Sequence, residues 1–498
     1  MSSKRVAYIS SKSYRTTCDQ HPKVRGRASL ADSLIEAYGL KSSLVNVKPS
    51  LATKEHLLTF HSQEYVDVVE KIQKSLEENP RAVGEDSMYE EDIDYDNDEE
   101  YAQVTQHGFG YDCTVFPEVY NYCAAVAGGT LAAANILAAG KADVAVNLNG
   151  GWHHAHVDEA AGFCYVNDIV IGILALLKTF TRILYIDLDI HHGDGVEEAF
   201  KYSEKVMTLS LHNFEDGFFP GTGGGEGFEK SCRKFLSTNV PLKNGVDDTM
   251  FFNIFSELFT EIMTLFQPEV IVCQCGADGL TGDPLGSFNL TSRGIVECVE
   301  AVSSHGVPLM LLGGGGYNVV NTARCWTEVV ACVLGTQLSD DIPDHDHLDR
   351  YGPDYCLKIT PGNRKNENTQ SYVDGVVGLL KNNLRLLSNT EEETEKLEKS
   401  MMTADGIVLK NKKAESNVTD QSITSTNMSE SVTNDVLQKV GQCKDLDQEN
   451  ENNVETIETF SDVKSNVLDP DVSNPLKRPS EDSDEATIKR VCVDKTNV

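Results

Sequence analysis

Five Asp and His residues fall within eight positions: Asp187, Asp189, His191, His192 and Asp194. In an extended backbone alternate side chains share a face, so Asp187, Asp189 and His191 project together. Two carboxylates and an imidazole hold a divalent cation and leave one position open for water. Asp278, in Gly276-Ala277-Asp278, can supply the second carboxylate and free Asp187 for a supporting role. An Asp at a strand end also caps the following helix, which accounts for Asp194 or Asp278 singly but not for the cluster. Water on such a cation becomes a nucleophile near neutral pH and still needs a base. His153 and His154, in Gly150-Gly151-Trp152-His153-His154, are the candidates. Each needs a carboxylate on its far nitrogen to fix its tautomer, and Asp187 and Asp194 are the spare ones. A His pair alone is more often a loop or core feature, and only the Asp-rich neighbour favours catalysis.

Two further groups are read with alternatives open. The glycines Gly313 to Gly316 are followed by neither Lys-Ser nor Lys-Thr, and G-x-G-x-x-G is absent, so a phosphate cradle is not indicated. The run instead lets the backbone approach closely and aims the Tyr317 hydroxyl at a developing oxyanion. Tyr317 as ordinary core packing is the other reading. Phe163, in Gly162-Phe163-Cys164-Tyr165, and Phe218-Phe219, between Gly217 and Pro220, either line a narrow apolar slot or anchor their loops inward.

Elements that position these residues follow from periodicity. Short β-branched runs at residues 5–9, 143–148, 182–187, 206–210, 269–273 and 308–312 read as strands, and 117–139, 249–266 and 319–334 read as helices. The alternation predicts an α/β fold with one parallel sheet flanked by helices on both faces. Ligands gather beyond the carboxyl ends of such strands, where the four polar clusters lie. Residues 1–389 read as one catalytic domain, with an acidic insertion at about 80–104 holding 10 Asp or Glu within residues 85–100. Residues 390–498, with 24 acidic and 13 basic residues and a single aromatic, Phe460, read as a disordered acidic tail.

Composition narrows the function. A net charge of -34 argues against direct nucleic-acid binding. The 13 scattered Cys fit neither a disulfide framework nor a Cys-rich zinc module. No run approaches the roughly 20 apolar residues of a membrane span, and residues 1–14 lack a secretory core. The expectation is a soluble intracellular protein without membrane partners.

Taken together, residues 150–154, 162–165, 187–196, 217–223, 313–318 and 323–327 resemble the class I zinc-dependent histone deacetylases, over residues 5 to 389. Within the class the chain is similar to the type 8 branch, through Trp152, Arg27-Ala28-Ser29, Gly276-Ala277-Asp278, Gly282-Asp283-Pro284 and residues 342–345. The resemblance implies a single arginase-like domain that removes acetyl groups from N6-acetyl-lysine of histones and other proteins, with transcriptional repression as the outcome. It implies Zn2+ on Asp189, His191 and Asp278. His154 with Asp194 would be general base and then acid, His153 with Asp187 would orient water, and Tyr317 would polarise the acetyl carbonyl. Phe163, Phe219 and Gly162 would wall the acetyl-lysine tunnel, with Asp112 and Leu285 at its rim and Arg27 at an internal acetate channel. It further implies K+ at Asp187, Asp189, His191, Ser210 and Leu211, and at Phe200, Ser203, Val206 and Leu236.

The same donors also accept Fe(II), Co(II) or Mn(II), because affinity alone does not select. Acetylated histone tails and corepressor proteins are the implied partners. Lys477-Arg478 and Lys489-Arg490 form a weak nuclear signal, so nucleus with some cytoplasm is the expected location. His156 and Val157 stand where relatives carry Lys, and Leu285 replaces the Met of the type 8 branch. An acetylpolyamine deacetylase is a second reading, disfavoured by the absence of an acidic gatekeeper at Leu285. A catalytically silent scaffold is a third, and has no need of Asp189, His191, Asp278, His154 and Tyr317 together.

Overall fold

Successive side chains of a strand point to opposite faces, so a strand buried on both faces must be apolar throughout. The computed structural model, which describes residues 4–78, 104–225 and 236–386, follows that rule. All of these residues belong to the unit Met1–Ile457, and the unit Glu458–Val498 lies outside them. Eight strands, β1 Val6–Ile9, β2 Val45–Val47, β3 Val144–Asn147, β4 Ile183–Asp187, β5 Val206–Asn213, β6 Ser237–Leu242, β7 Val270–Gln274 and β8 Leu309–Leu312, form one sheet. Its order is β2-β1-β3-β8-β7-β4-β5-β6, and every pairing is parallel.

Each face carries its own core. Leu184 and Ile186 of β4, Ile271 and Cys273 of β7, and Leu309 and Leu311 of β8 join the helices Asp248–Leu265, Ser292–Ser304 and Val319–Leu334. The alternate residues Ile183, Tyr185, Val270, Val272, Met310 and Leu312 join the helices Val119–Ala138 and Asp168–Leu176. All six expected strands are present, together with two that were not read. β2 is a three-residue edge with two exposed positions, and β6, the other edge, contains Pro241, which only an edge strand tolerates well.

Three expectations need correcting. The helix expected from 117 begins at Val119, because Glu118 before it is left-handed with φ 67°. The one expected from 249 begins at Asp248, where Asp247 caps it by accepting from Met250 N–H. The helix Val119–Ala138 is long and apolar enough to cross a membrane by length and composition, contrary to the expectation of no such run. Of that window 67% is buried, as in the core helix of a packed domain. The acidic insertion, apart from its last residue, and the tail both lie outside the described residues.

Candidate active site

β4 ends at Asp187, and the backbone beyond it is not extended. Asp187, Asp189 and His191 therefore do not converge by strand alternation, as their spacing suggested. Asp187 Oδ1 accepts from Asp189 N–H (3.2 Å) and Asp189 Oδ1 accepts from His191 N–H (3.1 Å), so two successive side-chain-to-backbone turns fold the segment. Asp278, after β7, is tied to it by accepting from Ile190 N–H (3.0 Å). One donor atom from each of Asp189, His191 and Asp278 lies within 4.8 Å of the others, and all three residues are buried. His191 Nδ1 is 3.0 Å from Asp278 Oδ2 and 3.2 Å from Asp189 Oδ1. A Cβ at Gly276 would strike the Asp189 carboxylate, and one at Gly315 the Asp278 carboxylate, so both approaches require glycine.

The electrostatics of this group call for a cation. Burial lowers the basicity of His191, yet Asp278 and Asp189 outweigh it and push its pKa up to about 10. Burial and the Asp189 charge push Asp278 up to about 7, while Asp189, despite burial, is held well below the usual range by His153 and His191. Two buried carboxylates that draw a proton onto a nearby imidazole are a donor set to which a divalent ion supplies the missing positive charge.

The two imidazoles beside it are held alike. His153 Nδ1 meets Asp187 Oδ2 at 2.8 Å and His154 Nδ1 meets Asp194 Oδ1 at 2.7 Å, which leaves each Nε2 on the far side of its ring. Their environments separate them. Burial and the neighbouring His153 charge lower His154 to about 4, whereas Asp187 and Asp189 overcome burial at His153 and raise it to about 9. With no ion on Asp189, His153 therefore holds a proton more firmly than His154.

Tyr317 follows the glycine run, whose Gly315 N–H donates to Asp189 Oδ2 at 2.9 Å. Burial, then the charges of Asp278 and Asp189, raise its hydroxyl well above the usual phenol range, so it stays protonated and able to donate. Its ring meets Phe163 edge-on at 5.5 Å. Phe219 stands edge-on to His154 at 4.9 Å, and Phe218 stacks on His191 at 5.1 Å. Both loop aromatics therefore face the polar cluster, and Phe219 keeps 42% of its surface exposed.

A family model described as "Histone deacetylase domain" matches residues 21–333, a stretch that holds the whole of this cluster. The chain belongs to the histone deacetylase family. It is 45% identical over 380 residues to histone deacetylase 8 of Danio rerio, covering 76% of this chain and 95% of that one. To histone deacetylase 8 of Xenopus tropicalis it is 44% identical over 379 residues, covering 76% and 97%. To type-1 histone deacetylase 1 of Dictyostelium discoideum it is 42% identical over 369 residues, covering 74% and 70%. It is a class I protein lysine deacetylase, an amide hydrolase of a zinc-dependent family, and the Asp189, His191, Asp278 group fits that ion.

Of the other expected residues of the deacetylase, some border this centre, whereas the second potassium set lies at the opposite end of β5. Asp112 Oδ2 accepts from Gly162 N–H at 2.7 Å, so the two are one unit. Leu285 is 40% exposed. Arg27 is buried, donates to Gly316 carbonyl at 3.0 Å and lies over the rings of Trp152 and Trp326, with no carboxylate partner among the described residues. Of the residues assigned to potassium, Ser210 pairs with Asp187 across β4 and β5, and Leu211 follows it. In the second set Ser203 N–H donates to the Phe200 carbonyl at 2.8 Å, Val206 opens β5, and the Leu236 carbonyl accepts from Thr208 N–H at 2.8 Å.

Several supporting residues went unread. Asp168 accepts from Gly151 N–H and Trp152 N–H, each at 3.0 Å at the nearest, and from the Thr130 hydroxyl, and so fixes the loop that ends in the His pair. Asp283 Oδ2 accepts from Tyr317 N–H (2.8 Å) and Asn318 N–H (2.9 Å). Gln274 Nε2 donates to Asp189 Oδ2 at 2.8 Å, and the Tyr185 hydroxyl to Asp187 Oδ2 at 2.7 Å. Asp168 and Asp283 carry a weak sequence signal, as acids beside a helix start and within a turn, which is the ordinary place for a cap.

Proposed function

We propose that Asp189, His191 and Asp278 hold the zinc ion and that His154, His153 and Tyr317 carry out proton transfer and oxyanion support on an N6-acetyl-lysine side chain. Zinc bound there supplies Lewis acidity, which lowers the pKa of water and polarises a carbonyl. His154, neutral and with Nδ1 committed to Asp194, takes a proton at Nε2 and returns it to the lysine nitrogen as the amide breaks. His153, paired with Asp187 through Nδ1, orients water and supplies electrostatic support. The Tyr317 hydroxyl donates to the acetyl oxygen as negative charge builds on it. The observation that carries the reading is the pair of Nδ1-carboxylate contacts set against a buried Asp-His-Asp group.

Phe163, Phe219 and the Gly162 backbone form the tunnel walls, Asp112 grips the substrate backbone, and Leu285 gives the rim an apolar edge. Arg27 lies at the acetate exit. Leu285 offers an ammonium no anion, which favours peptide over polyamine. Fe(II), Co(II) or Mn(II) can replace zinc, and K+ occupies the groups at Asp187, Ser210 and Leu211 and at Phe200, Ser203, Val206 and Leu236. Acetylated histone tails are the substrates, corepressor proteins the partners, and the nucleus, with some cytoplasm, the location. Residues 1–389 suffice for catalysis.

The test is acetate release from an acetylated histone peptide, with and without chelator, alongside metal analysis. Asp189→Ala and Asp278→Ala should each lose the metal and all turnover. Normal metal content with retained activity in either would sink the ligand assignment.

A further inference from the structure

Behind the catalytic pair lies a third imidazole that the reaction as described does not use. Asp194 and Glu198 stand one turn apart on the helix Asp194–Phe200, and the His156 ring is set between them. Asp194 spends Oδ1 on His154 and on Gly195 N–H. Its other oxygen, Oδ2, looks at His156 Nε2 across 3.8 Å, while His156 Nδ1 meets Glu198 Oε2 at 2.7 Å. His154 is buried, whereas His156 keeps 25% and Glu198 66% of the side chain exposed. Solvent is thus connected through Glu198, His156 and Asp194 to the nitrogen that holds the base in place.

We propose that His156 is a positioning residue for the deacetylation reaction: a solvent-reaching charge on the far oxygen of Asp194 that sets how strongly Asp194 supports His154. This rests on the role of His154 as general base given above. A cation at His156 draws on the Asp194 carboxylate and leaves less of its negative charge to stabilise a proton on His154. A neutral His156 returns that charge to His154 and makes it the stronger base.

The groups that face His156 all bear on its charge. Glu198 and Asp194 come from the helix, Glu159 from its own loop, where the Glu159 carbonyl accepts from His156 N–H, and the buried His61 from the segment before the helix Gln63–Glu78. Lys201 lies one turn beyond Glu198 and favours the anion there. The hydrogen bond to Glu198 is the largest influence, burial opposes it, and the net effect raises His156 above its ordinary value. Its titration therefore falls on the alkaline side of an ordinary histidine's.

Through a partly screened site, one charge at this distance shifts a neighbouring base by about one pKa unit. By a Brønsted dependence of general-base catalysis, that is about threefold in kcat/KM. The experiment uses the full chain with its metal and an acetyl-lysine peptide. kcat/KM is followed against pH, and the His156 ring protons are titrated by NMR in parallel. Wild type should climb about threefold through the pH at which His156 titrates, with KM little changed. His156→Gln should hold the upper level throughout, and His156→Lys, which keeps the charge, the lower one. Glu198→Gln should move the NMR titration and the kinetic step together to lower pH. A profile identical in all variants, or one lowered by a constant factor at every pH, would show that His156 only packs and would overturn the proposal. Full activity of His154→Ala would instead overturn the assignment of the base.

Discussion

Asp283→Ala tests whether the hydroxyl of Tyr317 is placed by its own backbone. Asp283 is 7% exposed; Oδ2 accepts from Tyr317 N–H at 2.8 Å and Asn318 N–H at 2.9 Å, and Oδ1 accepts from Leu285 N–H at 3.0 Å. A hydrogen bond to a charged acceptor contributes about 1.5 to 3 kcal/mol, so losing the two at Tyr317 and Asn318 removes about 3 to 6 kcal/mol of restraint from that turn. Burial of the carboxylate, which raises its pKa, offsets part of this. A displacement of about 1 Å in a reacting group costs about a hundredfold in rate. Loss of the donor altogether costs about 10² to 10³, which sets the ceiling. The expectation is a fall in kcat of about 10 to 100-fold, smaller than for Tyr317→Phe, with KM little changed. In Asp283→Asn the amide oxygen still accepts from Tyr317 and Asn318, so kcat should stay within about threefold while the rim at Leu285 loosens. The assay is steady-state turnover of an acetyl-lysine peptide with metal content checked. If Asp283→Ala kept its kcat and only raised KM, the residue would serve the rim alone, and Tyr317 would be held by the glycine run and the helix that begins after Asn318.

Tyr317→Phe should lower kcat by about 10² to 10³ with KM little changed, and His154→Ala should be deader than His153→Ala; the reverse order by a wide margin would exchange their roles. Asp168 is buried, and burial pushes its carboxyl up to about 6 from 3.8 against the hydrogen bonds that favour its charge. The folded state therefore takes up this proton first, and its stabilising contribution is complete below about pH 4 and lost as pH rises through about 6. Relative to Asp168→Asn, wild type should lose about 3 kcal/mol between pH 4 and 7 in denaturant melts, and a pH-independent difference would rule this out. Truncation after Asn389 should leave a folded protein with kcat/KM on a short peptide within about threefold of the full chain. An insoluble or inactive product would show that the boundary is misplaced.

What could be read from the chain depended on whether a residue's neighbours are local. β3, β4, β7 and β8 are central strands, apolar on both faces, and announce themselves as continuous runs. Edge strands β2 and β6 have one open side and a mixed composition, so nothing in Ser237–Leu242 separates it from a loop. The proposed ligands Asp189 and His191 were legible as residue types, but the reason offered for their convergence was wrong: hydrogen bonds from their own backbone, not strand alternation, bring them together. Asp168, Asp283 and Gln274 act on segments distant in the chain, and single-sequence periodicity carries no trace of that pairing. His156 stood out only as a departure from its relatives, and its partner Glu198 became visible once the helix placed one acid at each nitrogen of the ring.

The order of the strands also bears on how the enzyme is made. Among the described residues β8 is the last strand in sequence, yet it lies between β3 and β7, near the middle of the sheet. A chain synthesised past β7 but short of β8 would leave β3 and β7 without the strand that pairs with both, and unpaired strand edges recruit other chains. By then Asp189, His191 and Asp278 have all been synthesised, whereas Tyr317 and the Gly315 amide that steadies Asp189 follow β8. The donors proposed for the ion are thus synthesised before the four-residue strand that leads into the hydroxyl proposed for oxyanion support.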